Sequence, residues 1–126
     1  MKMRILLDTN FLLMPQQHGV DIFSEIDRIT FEKHSFITLS SVAAEIESLR
    51  GNTKDGIAAN VAAGLIQKKQ VQIMPSEGHA DHAITQYAKD NPDVVVATND
   101  KQLKRLLRDQ GTRIIHMRGK NHLEYL

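Results

Sequence analysis

Short apolar runs that end in polar turns alternate with stretches of helical period along the whole chain. This alternation limits the fold more than any other feature. The runs are Ile5-Leu6-Leu7, Ser35–Leu39, Val71-Gln72-Ile73, Val94–Ala97 and Ile114-Ile115. The first and fourth are apolar at successive positions, as strands covered on both faces are. Strands separated by helices pair in parallel through right-handed crossovers. The expected fold is therefore an α/β/α sandwich around a central, mainly parallel sheet of four to five strands. No repeat, low-complexity segment or linker divides the 126 residues, which read as one domain over 1–126.

Apolar spacing places the helices. Phe11–Met14 predicts a single turn that Pro15 terminates. Val20, Phe23, Ile26 and Ile29 mark a helix over Val20–Thr30. Val42, Ile46 and Leu49 mark another, capped by Ser40 or Ser41. A helix over Ala58–Lys69 starts from Thr53 or Asp55. Ala80, Ala83, Ile84, Tyr87 and Ala88 predict a helix closed by Asn91-Pro92, and Leu103, Leu106 and Leu107 one ended by Gly111. The tail after Ile115 carries no clear signal.

Composition excludes several classes. No apolar run approaches the ~20 residues of a membrane helix. Asp8 interrupts the first apolar run too early for a signal peptide. With no cysteine, disulfides and thiolate metal sites are ruled out. A cytoplasmic protein without a membrane partner is the expectation. Net charge is only +1, but from Lys101 onward seven basic residues stand against Asp109 and Glu124. On the helix after the fourth strand, Lys101, Lys104, Arg105 and Arg108 are the candidates for contacts to the phosphates of a polyanion.

Four acidic residues stand where such a fold brings chain segments together. Asp8 and Asp100 follow two buried strands, at the sheet edge where open α/β folds bind ligands. Glu45 lies early in the helix after the second strand, and Asp81 at the start of the helix before Val94. Ordinary roles compete: Asp8 and Asp100 can cap helices, and first-turn acids such as Asp81 are favoured by the helix dipole. Glu45 is harder to explain so, because it falls four residues after Ser41 and Ala44 holds the capping-box position. Carboxylates gathered in one site repel one another, and divalent cations remove that repulsion. An all-oxygen donor set suits Mg²⁺ or Mn²⁺, and one or two such ions suit phosphodiester hydrolysis. His79 and His82 flank Asp81, but no other histidine has ligand spacing to them, so both are read as surface or helix-end residues.

These segments together resemble the PIN-domain ribonucleases: Ile5-Leu6-Leu7-Asp8-Thr9-Asn10, Ser40-Ser41-Val42-Ala43-Ala44-Glu45-Ile46, Ala80-Asp81-His82-Ala83-Ile84 and Val95-Val96-Ala97-Thr98-Asn99-Asp100. The resemblance implies metal-dependent cleavage of single-stranded RNA. Asp8, Glu45, Asp81 and Asp100 would be the metal-binding and catalytic carboxylates, and Asn10 and Thr98 polar helpers that orient a ligand or water. His82 departs from the pattern, since many relatives carry a second acid there. Thr98–Arg105 is similar to the branch that processes small-subunit rRNA. VapC-type toxins, which often carry a Phe where Leu103 stands, are the other branch. The implied partners are an rRNA precursor with a ribosome-assembly factor in the first case and an antitoxin in the second. Family members often form homodimers, for which exposed apolar positions on the Val20–Thr30 helix are the candidate contact.

Other readings are weaker. A dehalogenase-type phosphatase needs an acid where Asn10 stands, and no glycine-rich phosphate loop is present. A catalytically silent scaffold of the same family is disfavoured by the intact acidic quartet.

Overall fold

A computed structural model describes residues 2–126. In chain order its elements are β1 (Met3–Leu7), α1 (Thr9–His18), α2 (Ile22–Ile29), β2 (His34–Leu39), α3 (Ser40–Leu49) and α4 (Lys54–Lys68). There follow β3 (Gln72–Met74), α5 (Ala80–Asp90), β4 (Val95–Ala97), α6 (Lys101–Asp109), β5 (Arg113–Arg118) and β6 (His122–Tyr125). The strands form one sheet in the order β3-β2-β1-β4-β5-β6. All neighbours are parallel except β5 and β6. The chain builds outward from β1 to β3, returns to lay β4 beside β1, and then builds outward the other way. Such a reversal opens a crevice at the carboxyl ends of the two central strands.

Helices α1 to α4 pack among themselves, and α5 packs on α6. Between them Ile5, Leu6, Leu7, Val95, Val96 and Ala97 are wholly buried. Each large aliphatic side chain so buried stabilises the fold by about 1.5–3 kcal/mol. Ile5 pairs with Val95, Leu6 with Val96 and Leu7 with Ala97, so Asp8 and Thr98 leave the sheet side by side.

Four local expectations are corrected. The sheet has six strands, because His122–Tyr125 returns antiparallel on β5 with only Leu123 fully buried. Pro15 lies inside α1 rather than ending it. The proline denies the Phe11 carbonyl its N–H partner, but Phe11 to Met14 are buried and α1 packs along α4. Packing therefore carries the helix on to Gly19, which ends it at φ +65°. Ser40 and Ser41 do not cap α3, which begins at Ser40 itself. Ser76, from the loop after β3, takes the capping role from outside: its Oγ accepts from Ser41 N at 2.9 Å, and its own N–H donates to Ser40 Oγ at 2.8 Å. Finally, α2 offers no exposed apolar face for a homodimer. Ile22, Phe23 and Ile26 are buried, with Phe23 edge-on to Phe36 at 4.9 Å and the helix packed against β6.

Candidate active site

Asp8, Glu45, Asp81 and Asp100 line one cavity of about 380 Å³ at the crevice between β1 and β4, together with Thr9, Asn10, Leu13, Leu49, His79 and Ala80. Four elements deliver the carboxylates. Asp8 caps α1 and Asp100 caps α6. Glu45 projects from the second turn of α3 and Asp81 from the first turn of α5. Capping and lining prove compatible. Asp100 spends Oδ1 on Leu103 N at 2.9 Å, and a carboxylate has about four acceptor positions.

Asp8 is the innermost of the four, only 3% exposed. Its Oδ1 accepts from Thr9 N and its Oδ2 from Thr98 Oγ1, each at 2.7 Å. Burial nonetheless pushes its pKa up to about 6, against the lowering effect of both bonds, and the nearby charges of Asp81 and Asp100 raise it further. The Asp81 pKa is also raised, first by loss of water and then by Asp100, while His79 pulls it down. Glu45 is exposed at the rim.

The two polar helpers act on the protein itself. Thr98 is fully buried and does not reach the cavity. Its hydroxyl donates to Asp8 and accepts from Asp100 N at 3.1 Å, so one oxygen ties the two strand-end acids together. The expectation that Thr98 orients a ligand is corrected on this point, because its place in register with Asp8 turns it inward. Asn10 does line the cavity, and its Oδ1 accepts from Asn99 N at 3.2 Å. Asn99 in turn accepts from Met117 N at 2.8 Å, so the turn before α6 is pinned from both sides.

Two cavity residues were not legible in the sequence as site residues. His79 stands at the α5 cap without a side-chain capping bond. Thr9 has a buried hydroxyl with no hydrogen-bond partner among the described residues. A buried hydroxyl left unpaired costs about 1–3 kcal/mol, which a ligand or water oxygen beside it would offset. The donor set is oxygen throughout the four acids. Among the described residues, however, no three His, Cys, Asp or Glu side chains stand close enough to hold an ion by themselves. The oxygen donors by themselves suit a hard cation such as Mg²⁺, which keeps several waters and takes one or two carboxylates directly. They do not fit a closed tetrahedral site.

Lys101, Lys104, Arg105 and Arg108 gather along a second groove of about 510 Å³ with Asp109 and Leu126. Lys101, at the start of this groove, directly follows Asp100 of the acidic cavity in the chain. Among the described residues no helix is long and apolar enough to cross a membrane.

Comparison with known proteins agrees with this arrangement. Ribonuclease VapC4 of Methanocaldococcus jannaschii is 34% identical over 125 residues, covering 96% of this chain and 95% of the relative. The rRNA-processing protein fcf1 of Schizosaccharomyces pombe is 28% identical over 107 residues, covering 82% of this chain and 53% of that protein. Among solved structures, the PIN domain endonuclease Utp24 superposes with a TM-score of 0.79 at 26% identity, covering 98% of this chain and 92% of that one. The family profile described as PIN like domain matches residues 5–120, a span that takes in all four carboxylates and the strands and helices that carry them. By sequence and by fold, this chain belongs to the PIN-domain family.

Proposed function

We propose that this chain is a metal-dependent endoribonuclease that hydrolyses phosphodiester bonds of single-stranded RNA, and that residues 1–126 act as one catalytic unit. The observation that carries the reading is the convergence of Asp8, Glu45, Asp81 and Asp100 on one cavity, in a family whose relatives are named ribonuclease and endonuclease. One or two of these carboxylates at a time, with water completing the shell, would hold Mg²⁺ or Mn²⁺, one ion or two. When bound, such ions neutralise the cavity and activate water for attack on phosphorus. Thr98 keeps Asp8 aimed and Asn10 holds the turn that presents Asp100. Lys101, Lys104, Arg105 and Arg108 bind phosphates of the strand beside the cut, and a cytoplasmic location suits this substrate.

Cleavage of single-stranded RNA with Mg²⁺ or Mn²⁺ is the test. Wild type cuts, and Asp8→Asn loses at least the roughly ten- to hundredfold that removing a ligand's hydrogen-bonding partner costs. Equal cutting by both proteins marks a contaminant, and neither binding nor cutting with either metal ends the enzyme reading.

For the biological role, the likeness of Thr98–Arg105 to rRNA-processing relatives and the similarity to the rRNA-processing protein fcf1 support rRNA processing, with a ribosome-assembly partner. A second reading, a toxin held by an antitoxin, is favoured by the nearly full-length match to Ribonuclease VapC4. Expression beside Asp8→Asn separates them. Cuts confined to an rRNA precursor support the first, and growth arrest dependent on Asp8 supports the second.

A further inference from the structure

The basic groove on α6 is connected to a histidine outside the acidic cavity. His116, on β5, lies between Lys104 of α6 and Glu124, its register partner on β6. Its Nδ1 is 3.1 Å from Lys104 Nζ and its Nε2 is 3.3 Å from Glu124 Oε1. An ammonium has donors only, so Nδ1 must be the acceptor. The ring is then neutral, with its proton on Nε2 facing the carboxylate. The other Glu124 oxygen accepts from Arg118 at 3.3 Å. From β4, the residues beside this part of β5 are Ala97, Thr98 and Asn99, none of them charged. Among the described residues, Lys104 and Glu124 are the charged groups within bonding distance of the ring. The His116 side chain is 14% exposed, so the ring is largely shielded from bulk water, while Glu124 is partly open to it and Lys104 lines the groove.

A proton added at Nδ1 removes the only acceptor Lys104 has on the ring and sets two cations against each other. It also strengthens the pair between Nε2–H and Glu124, which keeps the ring in place while the lysine leaves. We propose that His116 is a proton-operated latch on Lys104: neutral, it holds the ammonium against β5, and protonated, it releases the ammonium to phosphate oxygens in the α6 groove. The groove therefore grips a polyanion more tightly once the ring has taken up a proton. This inference rests on the reading of α6 as an RNA contact.

The test uses a fluorescent 2′-O-methyl oligouridylate, which cannot be cut, with the full chain in EDTA. Affinity is read by anisotropy at about pH 5.5 and about pH 8, on either side of the usual histidine range. Protonation of the other five histidines tightens binding in every protein, so the comparison is between variants. The gain on acidification in wild type exceeds that in His116→Gln and in Lys104→Ala by about two- to fivefold, the effect of one added exposed ion pair. Nitrogen-15 NMR of the imidazoles gives a second readout without RNA: His116 is the Nε2–H tautomer at the higher pH. Binding with an equal pH response in wild type and His116→Gln overturns the latch alone, as does an Nδ1–H tautomer. No binding at either pH overturns the RNA reading of the groove and the latch with it.

Discussion

The Asp8 carboxylate accepts two short hydrogen bonds, yet burial costs its charged form more than those bonds return, and its pKa stands at about 6 against 3.8 for a free side chain. Between those values the folded protein holds a proton that the unfolded chain releases. The neutral acid's contribution to stability is therefore whole below about pH 3.8 and is lost as pH rises to about 6, for a total of roughly 3 kcal/mol. Asp8→Asn removes this term. In EDTA the variant gains on wild type by about 2 kcal/mol between pH 4.5 and pH 7.5, measured by chemical denaturation. A difference that does not change with pH would show that desolvation is not what perturbs Asp8. The same residue is thus expected to be the most damaging to activity when replaced, while its replacement relieves the desolvation that the charge suffers at neutral pH.

At the scale of elements, α4 carries two glycines in opposite situations. A Cβ on Gly56 would meet the Gly51 backbone at 2.7–2.8 Å, whereas one on Gly64 meets nothing within 4 Å. Gly64→Ala should stabilise the protein by up to about 1 kcal/mol through helix propensity. Gly56→Ala should destabilise it by roughly 1–3 kcal/mol, because backbone must move and the propensity gain is smaller. Thermal unfolding of the two variants checks both signs, and a stabilised Gly56→Ala would mean that the 51–56 turn yields freely. Elements built on an uninterrupted pattern were legible in the sequence. β4 is apolar throughout and β1 is so after Arg4, and α5 repeats its small apolar residues at helical spacing. β6 was not legible, since His122-Leu123-Glu124-Tyr125 is short and polar and gains its place only by pairing with β5. The passage of α1 through Pro15 and the cap supplied by Ser76 likewise depend on packing between distant segments. In the site, Asp8 and Asp100 announced themselves as polar ends of buried strands. The unpaired hydroxyl of Thr9 follows only from what surrounds it in space.

Across the whole molecule a net charge of +1 conceals a division, with acids converging at the crevice and bases along α6. If the bases take RNA phosphates, affinity falls with salt, and replacing Lys101 and Arg105 together by Ala lowers the slope by about 1.4, near 0.7 for each phosphate contact on a single strand. An unchanged slope, measured in EDTA with uncleavable RNA, would place the strand on another face. The crevice itself is like a vice with one fixed jaw. Asp8 and Asp100 hang from adjacent strands joined by ladder hydrogen bonds and by the Thr98 hydroxyl, so the distance between them is set by the sheet. Glu45 and Asp81 ride on α3 and α5, which pack on each other and on β2. The second jaw is thus a pair of helices in contact, with Ser76 tying the start of α3 to the loop after β3, so the opening is set by how that pair is seated.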